Sequence, residues 1–290
     1  SCSFCAIPSF KGKLHSRTLE SLVKEVTNLV KKGYKDFSFV SQDSSSYLRD
    51  LGHNDGLEQL IDAVEKIDGV KTARILYLYP STTTHNLIDK IADSKVFVNY
   101  FDMPLQHISQ NMLKIMKRGK GAEKLIELMN YMRSKPNSFV RTTFIAGHPG
   151  ESEDDFEELC SFVEDFGFDR GNVFSYSDEE GTSAETRDDK IEQELIDERA
   201  EILGDIISQT TIKSLENDIG KSFEVYIDGE SEEHEYLLSA RKTIWAPQID
   251  GEIYINDNED NIPIVFGEIY EVEATQLAGD KLLAKIIRKV

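Results

Sequence analysis

The sequence predicts an α/β fold: a partial (β/α)6 barrel of parallel strands over residues 1–218, then a small antiparallel β-barrel over residues 219–290. Three observations lead there. From Thr18 to about Gly220, short β-type runs alternate with amphipathic helical stripes, the pattern of a parallel sheet or barrel. Each of those runs leads into a segment rich in polar, Gly or Pro residues. After Gly220 the helical stripes stop, and short alternating runs take over, punctuated by Gly229, Gly251, Gly267 and Gly279.

The first stripe is Leu19, Leu22, Val23, Val26, Leu29 and Val30, with Thr18 as N-cap and Gly33 as stop. Residues 36–41 then read as a strand. Leu57, Leu60, Ile61, Val64 and Ile67 form the next stripe, followed by a strand at 73–79. Leu87, Ile88 and Ile91 mark a helix before a strand at 96–101. Two helices, near 111–117 and 122–133, precede a strand at 139–146. Phe156, Leu159, Cys160 and Val163 mark another helix, and 171–176 the last strand of the series. A long charged helix over about 191–217 closes the region. These are five β-then-α units, and a sixth strand is expected just upstream of Cys2. In the terminal module the alternating runs are 223–227, 252–255, 268–272 and 282–287.

At 290 residues the chain is long enough for one barrel and a small second domain. It has no run of eighteen apolar residues, so no transmembrane helix is expected. Three cysteines make no disulfide framework, and a reducing cytoplasm is the expected compartment. The formal charge of −20 argues against a grip on a nucleic-acid backbone, which needs clustered Lys and Arg. An acidic surface steers basic partners, or serves solubility alone.

Cys2 and Cys5 enclose Phe4 in Cys2-Ser-Phe-Cys-Ala-Ile-Pro8. Spacing alone leaves a metal loop, a zinc ribbon and a thioredoxin-like redox site open. A four-cysteine zinc site needs a second pair. The remaining cysteine, Cys160, stands alone in a helical pattern and reads as a small buried hydrophobe. In parallel barrels the active site lies at the C-terminal ends of the strands. The segments expected there are 41–43, 79–80, 102–107, 147–151 and 175–182, each rich in polar, Gly or Pro residues.

With these features together, the chain resembles the radical S-adenosylmethionine (SAM) methylthiotransferases over nearly its whole length. The resemblance rests on the cysteine loop, Ser41-Gln-Asp43, Met103-Pro-Leu-Gln-His107, Phe144-Ile-Ala-Gly-His-Pro-Gly-Glu151 and Phe174-Ser-Tyr-Ser-Asp-Glu-Glu-Gly-Thr-Ser-Ala184. Ala246-Pro-Gln-Ile-Asp-Gly251 is similar to the signature of that family's TRAM domain. Glu179-Glu180-Gly181-Thr182 resembles the branch that modifies an aspartate of small-subunit ribosomal protein S-12; the tRNA-modifying branch typically has Arg-Pro-Gly-Thr there. Residues 221–290 carry 15 Asp and Glu against 7 Lys and Arg, a formal −8, which suits a basic protein partner better than RNA.

The resemblance implies a [4Fe–4S] cluster with Cys2 and Cys5 as two of its three ligands, the third lying four residues before Cys2, upstream of Ser1. It implies SAM on the open iron, an electron donor, and a second [4Fe–4S] cluster in a domain preceding this chain, which reads as a fragment with no initiator Met. Phe4, Ile145 and Gly147 are expected near adenine. Gln42 is a candidate for the methionine end or the ribose. Arg141 is a candidate for the SAM carboxylate, with a structural salt bridge as its other reading. Asp102 and Gln106 are candidates for ribose hydroxyls, or only brace the Pro104 turn. Glu179, Glu180 and Thr182 are expected to shape the substrate entrance, against the reading of a solvated acidic turn. Glu151 is expected to cap the helix beginning near Ser152. His107 and His148 read as hydrogen-bonded loop residues rather than proton donors, and Trp245 as half-buried packing in the small barrel, with a partner-contact anchor as its other reading. The expected activity is addition of a methylthio group to the β-carbon of an aspartate in ribosomal protein S-12. The alternatives are a tRNA adenosine methylthiotransferase, and a non-catalytic scaffold with a Cys-x-x-Cys metal or redox site.

Overall fold

Directly after the cysteine loop, a short helix α1 (Ile7–Lys11) forms with Pro8 in its first turn, where a missing amide is tolerated. The computed structural model describes residues 2–258 and 261–290. Thr18 caps α2 (Leu19–Lys31) by accepting the Ser21 amide at 3.2 Å.

The barrel then runs β1 (Asp36–Phe39), α3 (Gly56–Val64), β2 (Thr72–Ile75), α4 (His85–Ala92), β3 (Tyr100–Asp102), α5 (Gln110–Ile115), α6 (Ala122–Arg133), β4 (Phe139–Ala146), α7 (Glu153–Phe166) and β5 (Arg170–Ser175). β1 pairs with β2, β3 with β4 and β4 with β5, all parallel. A bridge between Ala73 and Phe97, and the Leu78 amide donating to the Asp102 carbonyl at 2.8 Å, stitch the two ladders together. Neighbours in the chain are therefore neighbours in the sheet, as short βαβ crossovers favour.

β1, β2 and β3 are shorter than their hydrophobic runs, while β4 matches its own. β2 stops at Ile75 because Tyr77 adopts φ +59 and gives its amide to Asp102 Oδ2 at 3.0 Å. The apolar stripes behave as expected: Leu57, Leu60, Ile61 and Val64 of α3 are all buried, as are Leu87, Ile88 and Ile91 of α4. With Phe101, Val140, Phe144, Leu159 and Val163 they form one core. Each such side chain contributes about 1.5–3 kcal/mol relative to exposure. Helix α8 (Gln193–Glu216) adds Leu203 and Ile207 to that core.

The chain divides into two compact units between Ile207 and Ser208. The second carries β6 (Ser222–Glu230), β7 (Leu238–Lys242), β8 (Ile253–Asp257), β9 (Ile269–Ala278) and β10 (Lys281–Lys289), closed into a barrel of order β10-β8-β7-β6-β9. Four of its ladders are antiparallel, as expected of this module, and β10 pairs with β8 in parallel. An odd number of strands cannot alternate direction all the way round a closed ring, so one parallel pair is unavoidable. β7 was not anticipated from the sequence. Trp245 is fully buried in this unit rather than displayed to a partner. In the signature turn the Asp250 carboxylate accepts the Ala246 amide at 2.7 Å, while Gln248 and Gly251 take positive φ. That explains why an Asp-Gly pair closes the segment.

Candidate functional site

The cysteine loop is strapped at its centre. The Ser3 amide donates to the Met116 carbonyl at 3.1 Å, and the Ser3 carbonyl accepts the Ala184 amide at 3.0 Å. Cys2 and Cys5 stay partly exposed and line a cavity of about 1090 Å³. Its walls are Ser41 and Gln42 beyond β1, Tyr79 beyond β2, Gln106 beyond β3, and Ile145 and Phe174 near the ends of β4 and β5. Four of the five strand-end segments picked out in the sequence thus contribute directly: 41–43, 79–80, 102–107 and 175–182.

Gln106 reaches the cavity because its backbone is held against β4. Its amide donates to the Thr143 carbonyl at 2.8 Å, its carbonyl accepts the Ile145 amide at 2.9 Å, and its φ is +71. Arg141 also lines the cavity, while its Nη1 sits 3.0 Å from Asp102 Oδ1. Once the Asn172 amide is turned to satisfy its neighbours, its oxygen accepts from Arg141 Nη2 at 2.8 Å. Arg141 is therefore salt-bridged inside the barrel, its structural reading, and it also lines the cavity. Burial pushes the Asp102 carboxyl up from its ordinary value, and Arg141 and the Tyr77 amide oppose that push.

Phe4 lines the cavity, edge-on to the buried His148 ring at 6.1 Å. His148 Nε2 lies 3.2 Å from the Ser3 hydroxyl, and burial pushes its pKa down. Glu179 lines the cavity rim. Glu180 is exposed, and Thr182 is buried behind the turn, its hydroxyl accepting the Glu185 amide at 3.3 Å.

Asp102, Gly147, Glu180 and Thr182 are not among the lining residues. Asp102 instead braces Arg141 and the Tyr77 turn. At Gly147, φ is +79 and an added Cβ would lie 2.5 Å from Ile196 Cγ1, so glycine is needed there for the approach of α8. Glu151 does not cap α7. Ser152 and Asp155 form a capping box, and Glu151 is turned inward to Arg199, at 2.7 Å, and to the Gly147 amide, at 3.0 Å. A helix N-terminus needs only one such cap, which frees Glu151 for the interior. His107 accepts the Ile108 and Ser109 amides at Nδ1, at 2.9 and 3.0 Å, so its proton resides on Nε2, 3.3 Å from Glu151 Oε1. Both histidines act as hydrogen-bonded loop residues.

One residue escaped the sequence reading. Arg118, in the turn after α5, places Nη1 3.1 Å from Cys2 Sγ, and its guanidinium stacks over Tyr79 at 4.7 Å. The Tyr79 hydroxyl is itself 3.7 Å from that sulfur; burial, with Cys2 adding, pushes its pKa up to about 12. A lone Arg before Gly119 gives no sign in sequence of a partner 116 residues away.

Two thiols facing a cavity, one hydrogen-bonded by a cation, are a donor set suited to iron–sulfur ligation, since thiolates are the protein ligands of such clusters. Among the described residues no group of three His, Cys, Asp or Glu is placed to hold a metal. Cys160, half-buried on α7, is elsewhere, its thiol pushed up to about 11 by burial.

The model of the radical SAM superfamily matches residues 1–163. The chain belongs to the radical SAM superfamily. A TRAM domain model matches residues 219–287. Among curated relatives, the ribosomal protein uS12 methylthiotransferase RimO of Aliarcobacter butzleri (strain RM4018) is 79% identical over 289 residues, 99% of this chain and 65% of that protein. The protein of the same name from Sulfurovum sp. (strain NBC37-1) is 61% identical over 288 residues, with 99% and 65% covered. The chain thus spans about two-thirds of the length of these relatives, falling just short of it. Among solved structures, coproporphyrinogen III oxidase (HemN) from Escherichia coli, a radical SAM enzyme, superposes with TM-score 0.52 at 16% identity, over 74% of this chain and 49% of that one. At that identity the likeness speaks for the radical SAM fold alone. No helix among the described residues is long and apolar enough to cross a membrane.

Proposed function

We propose that this chain is the catalytic and TRAM portion of a methylthiotransferase that adds a methylthio group to the β-carbon of an aspartate in small-subunit ribosomal protein S-12, in the cytoplasm. The carrying observation is the union of a two-thiol loop opening on a strand-end cavity with a TRAM module of formal charge −8 over residues 221–290. The names of the two relatives support the same substrate. Residues 1–218 form the catalytic portion and 219–290 the substrate-recognition module.

No side chain is basic enough to remove a hydrogen from an unactivated carbon. A bound [4Fe–4S] cluster with SAM supplies radical hydrogen abstraction in its place. Cys2 and Cys5 would hold two of the irons; a third thiol ligand, a second [4Fe–4S] cluster and an electron donor belong to the same reading. Phe4 and Ile145 offer apolar surface for adenine. Gln42, Gln106 and Arg141 present polar groups to the methionine and ribose ends, and Asp102 keeps Arg141 pointed. Glu179 carries negative charge at the rim, where a basic substrate enters, on a turn shaped by Glu180 and Thr182. The acidic module disfavours RNA as the partner.

The test is to incubate the full-length, anaerobically reconstituted protein with SAM, a reductant, and either an S-12 peptide or tRNA, and to weigh the products. One methylthio group on the peptide is expected. The same gain on tRNA and not on peptide would sink the assignment.

A further inference from the structure

Arg118 is 4% exposed, yet among the described residues no carboxylate pairs with it. A buried guanidinium without an anion is costly, so the partner it does have is informative. That partner is sulfur: Nη1 donates to Cys2 Sγ at 3.1 Å, while Nη2 donates to the Pro104 carbonyl and Nε is buried with no hydrogen-bond partner among the described residues. The placement is built into the backbone. Lys117 and Gly119 take φ of +57 and +81, folding the chain back so that the Arg118 amide donates to the Leu113 carbonyl at 2.9 Å. Two residues earlier, the Met116 carbonyl accepts the Ser3 amide at 3.1 Å. One turn therefore straps the cysteine loop and delivers a cation to its first sulfur. The Tyr79 ring beneath the guanidinium fixes its plane.

We propose that Arg118 is a positioning residue that sets the reduction equilibrium of the cluster held by Cys2, a step that rests on the cluster reading above. Reduction adds one electron from an external one-electron reductant and makes the cluster more negative by one charge. A cation hydrogen-bonded to a ligand sulfur stabilises that reduced form more than the oxidised one, and so raises the potential.

The test is a redox titration, followed by electron paramagnetic resonance, of the reconstituted full-length protein and its R118M and R118K variants, with iron content measured in parallel. The signal to follow is the one lost in a Cys2→Ala, Cys5→Ala variant. R118M is expected to weaken reduction about tenfold, about 59 mV lower for one electron. R118K, which keeps the charge but not the fork, should fall between. An R118M midpoint coinciding with the parent at full iron content overturns the proposal. If R118M loses iron, R118Q, which removes the charge but keeps an N–H donor, decides by the same comparison: a lowered midpoint supports the proposal and an unmoved one overturns it. A parent protein whose iron is unaffected by removing Cys2 and Cys5 overturns the cluster reading itself, a result separable from an unmoved midpoint.

Discussion

Arg199 of α8 and Glu151 of the loop after β4 meet at 2.7 Å with both side chains withdrawn from solvent. Arg199 also donates to the Glu151 carbonyl at 3.1 Å and pairs with Glu153 at 2.9 Å, and its guanidinium lies over Phe156 at 5.1 Å. Glu151 in turn holds the Gly147 amide and faces His107. A single buried ion pair therefore fastens α8 to the loop that follows β4, whose residue Ile145 lines the cavity.

Arg199→Met should destabilise this unit by about 3–5 kcal/mol, because Glu151 would be left buried without its cation. Urea denaturation measures it. Adding Glu151→Gln to the same chain should recover part of the loss, since the stranded charge is then gone; a double variant as unstable as the sum of the singles would contradict the pairing.

Gly147→Ala should cost about 2–4 kcal/mol, combining a positive φ with a Cβ forced against Ile196. Coupling it with Ile196→Ala removes the steric part and leaves the backbone part. Thermal melts of the four proteins in the cycle should show the double variant more stable than additivity demands.

Burial raises the Asp155 carboxyl, but hydrogen bonds from Ser109, Ser152 and Asn111 outweigh it and bring the pKa down to about 2. A depressed carboxyl stabilises the fold above its unfolded value, near 3.8, and that contribution disappears as pH falls through about 2. Asp155→Asn should therefore be less stable than the parent near pH 6 by about 2 kcal/mol, from the charge alone, and the gap should close between about pH 4 and pH 2. Denaturant midpoints across that range give the answer. A gap independent of pH would mean the carboxylate charge is not what matters.

Cys160→Ala should leave iron and sulfide content unchanged and lower stability by less than about 1 kcal/mol, as a half-buried thiol on α7 would. Cys5→Ala should abolish iron retention at the loop. Colorimetric iron and sulfide assays on both variants check the contrast, which fails if Cys160 proves to be needed.

Hydrophobic periodicity exposed most of the fold. The stripes of α2, α3, α4, α6 and α7 were readable because each must bury one face. β7 was not, since Leu238-Ser-Ala-Arg-Lys242 neither alternates nor favours extended backbone; it becomes a strand by pairing with β6 and β8. At the site, Cys2, Phe4, Cys5, Gln42, Gln106, Arg141, Ile145 and Glu179 do converge on one cavity. Arg118 was invisible because its partner is 116 residues away.

The amino-acid sequence by itself determined the alternation of strands and helices, the change of texture near Gly220 and the spacing of the two cysteines, because these depend on neighbours three or four residues apart. Only the tertiary structure decided which charges are buried together. Glu151 left the helix end for Arg199, Gly147 made room for Ile196, and Arg118 found Cys2, because the cost of an unpaired buried charge or an overlapping atom depends on what packing brings near, whatever its distance along the chain.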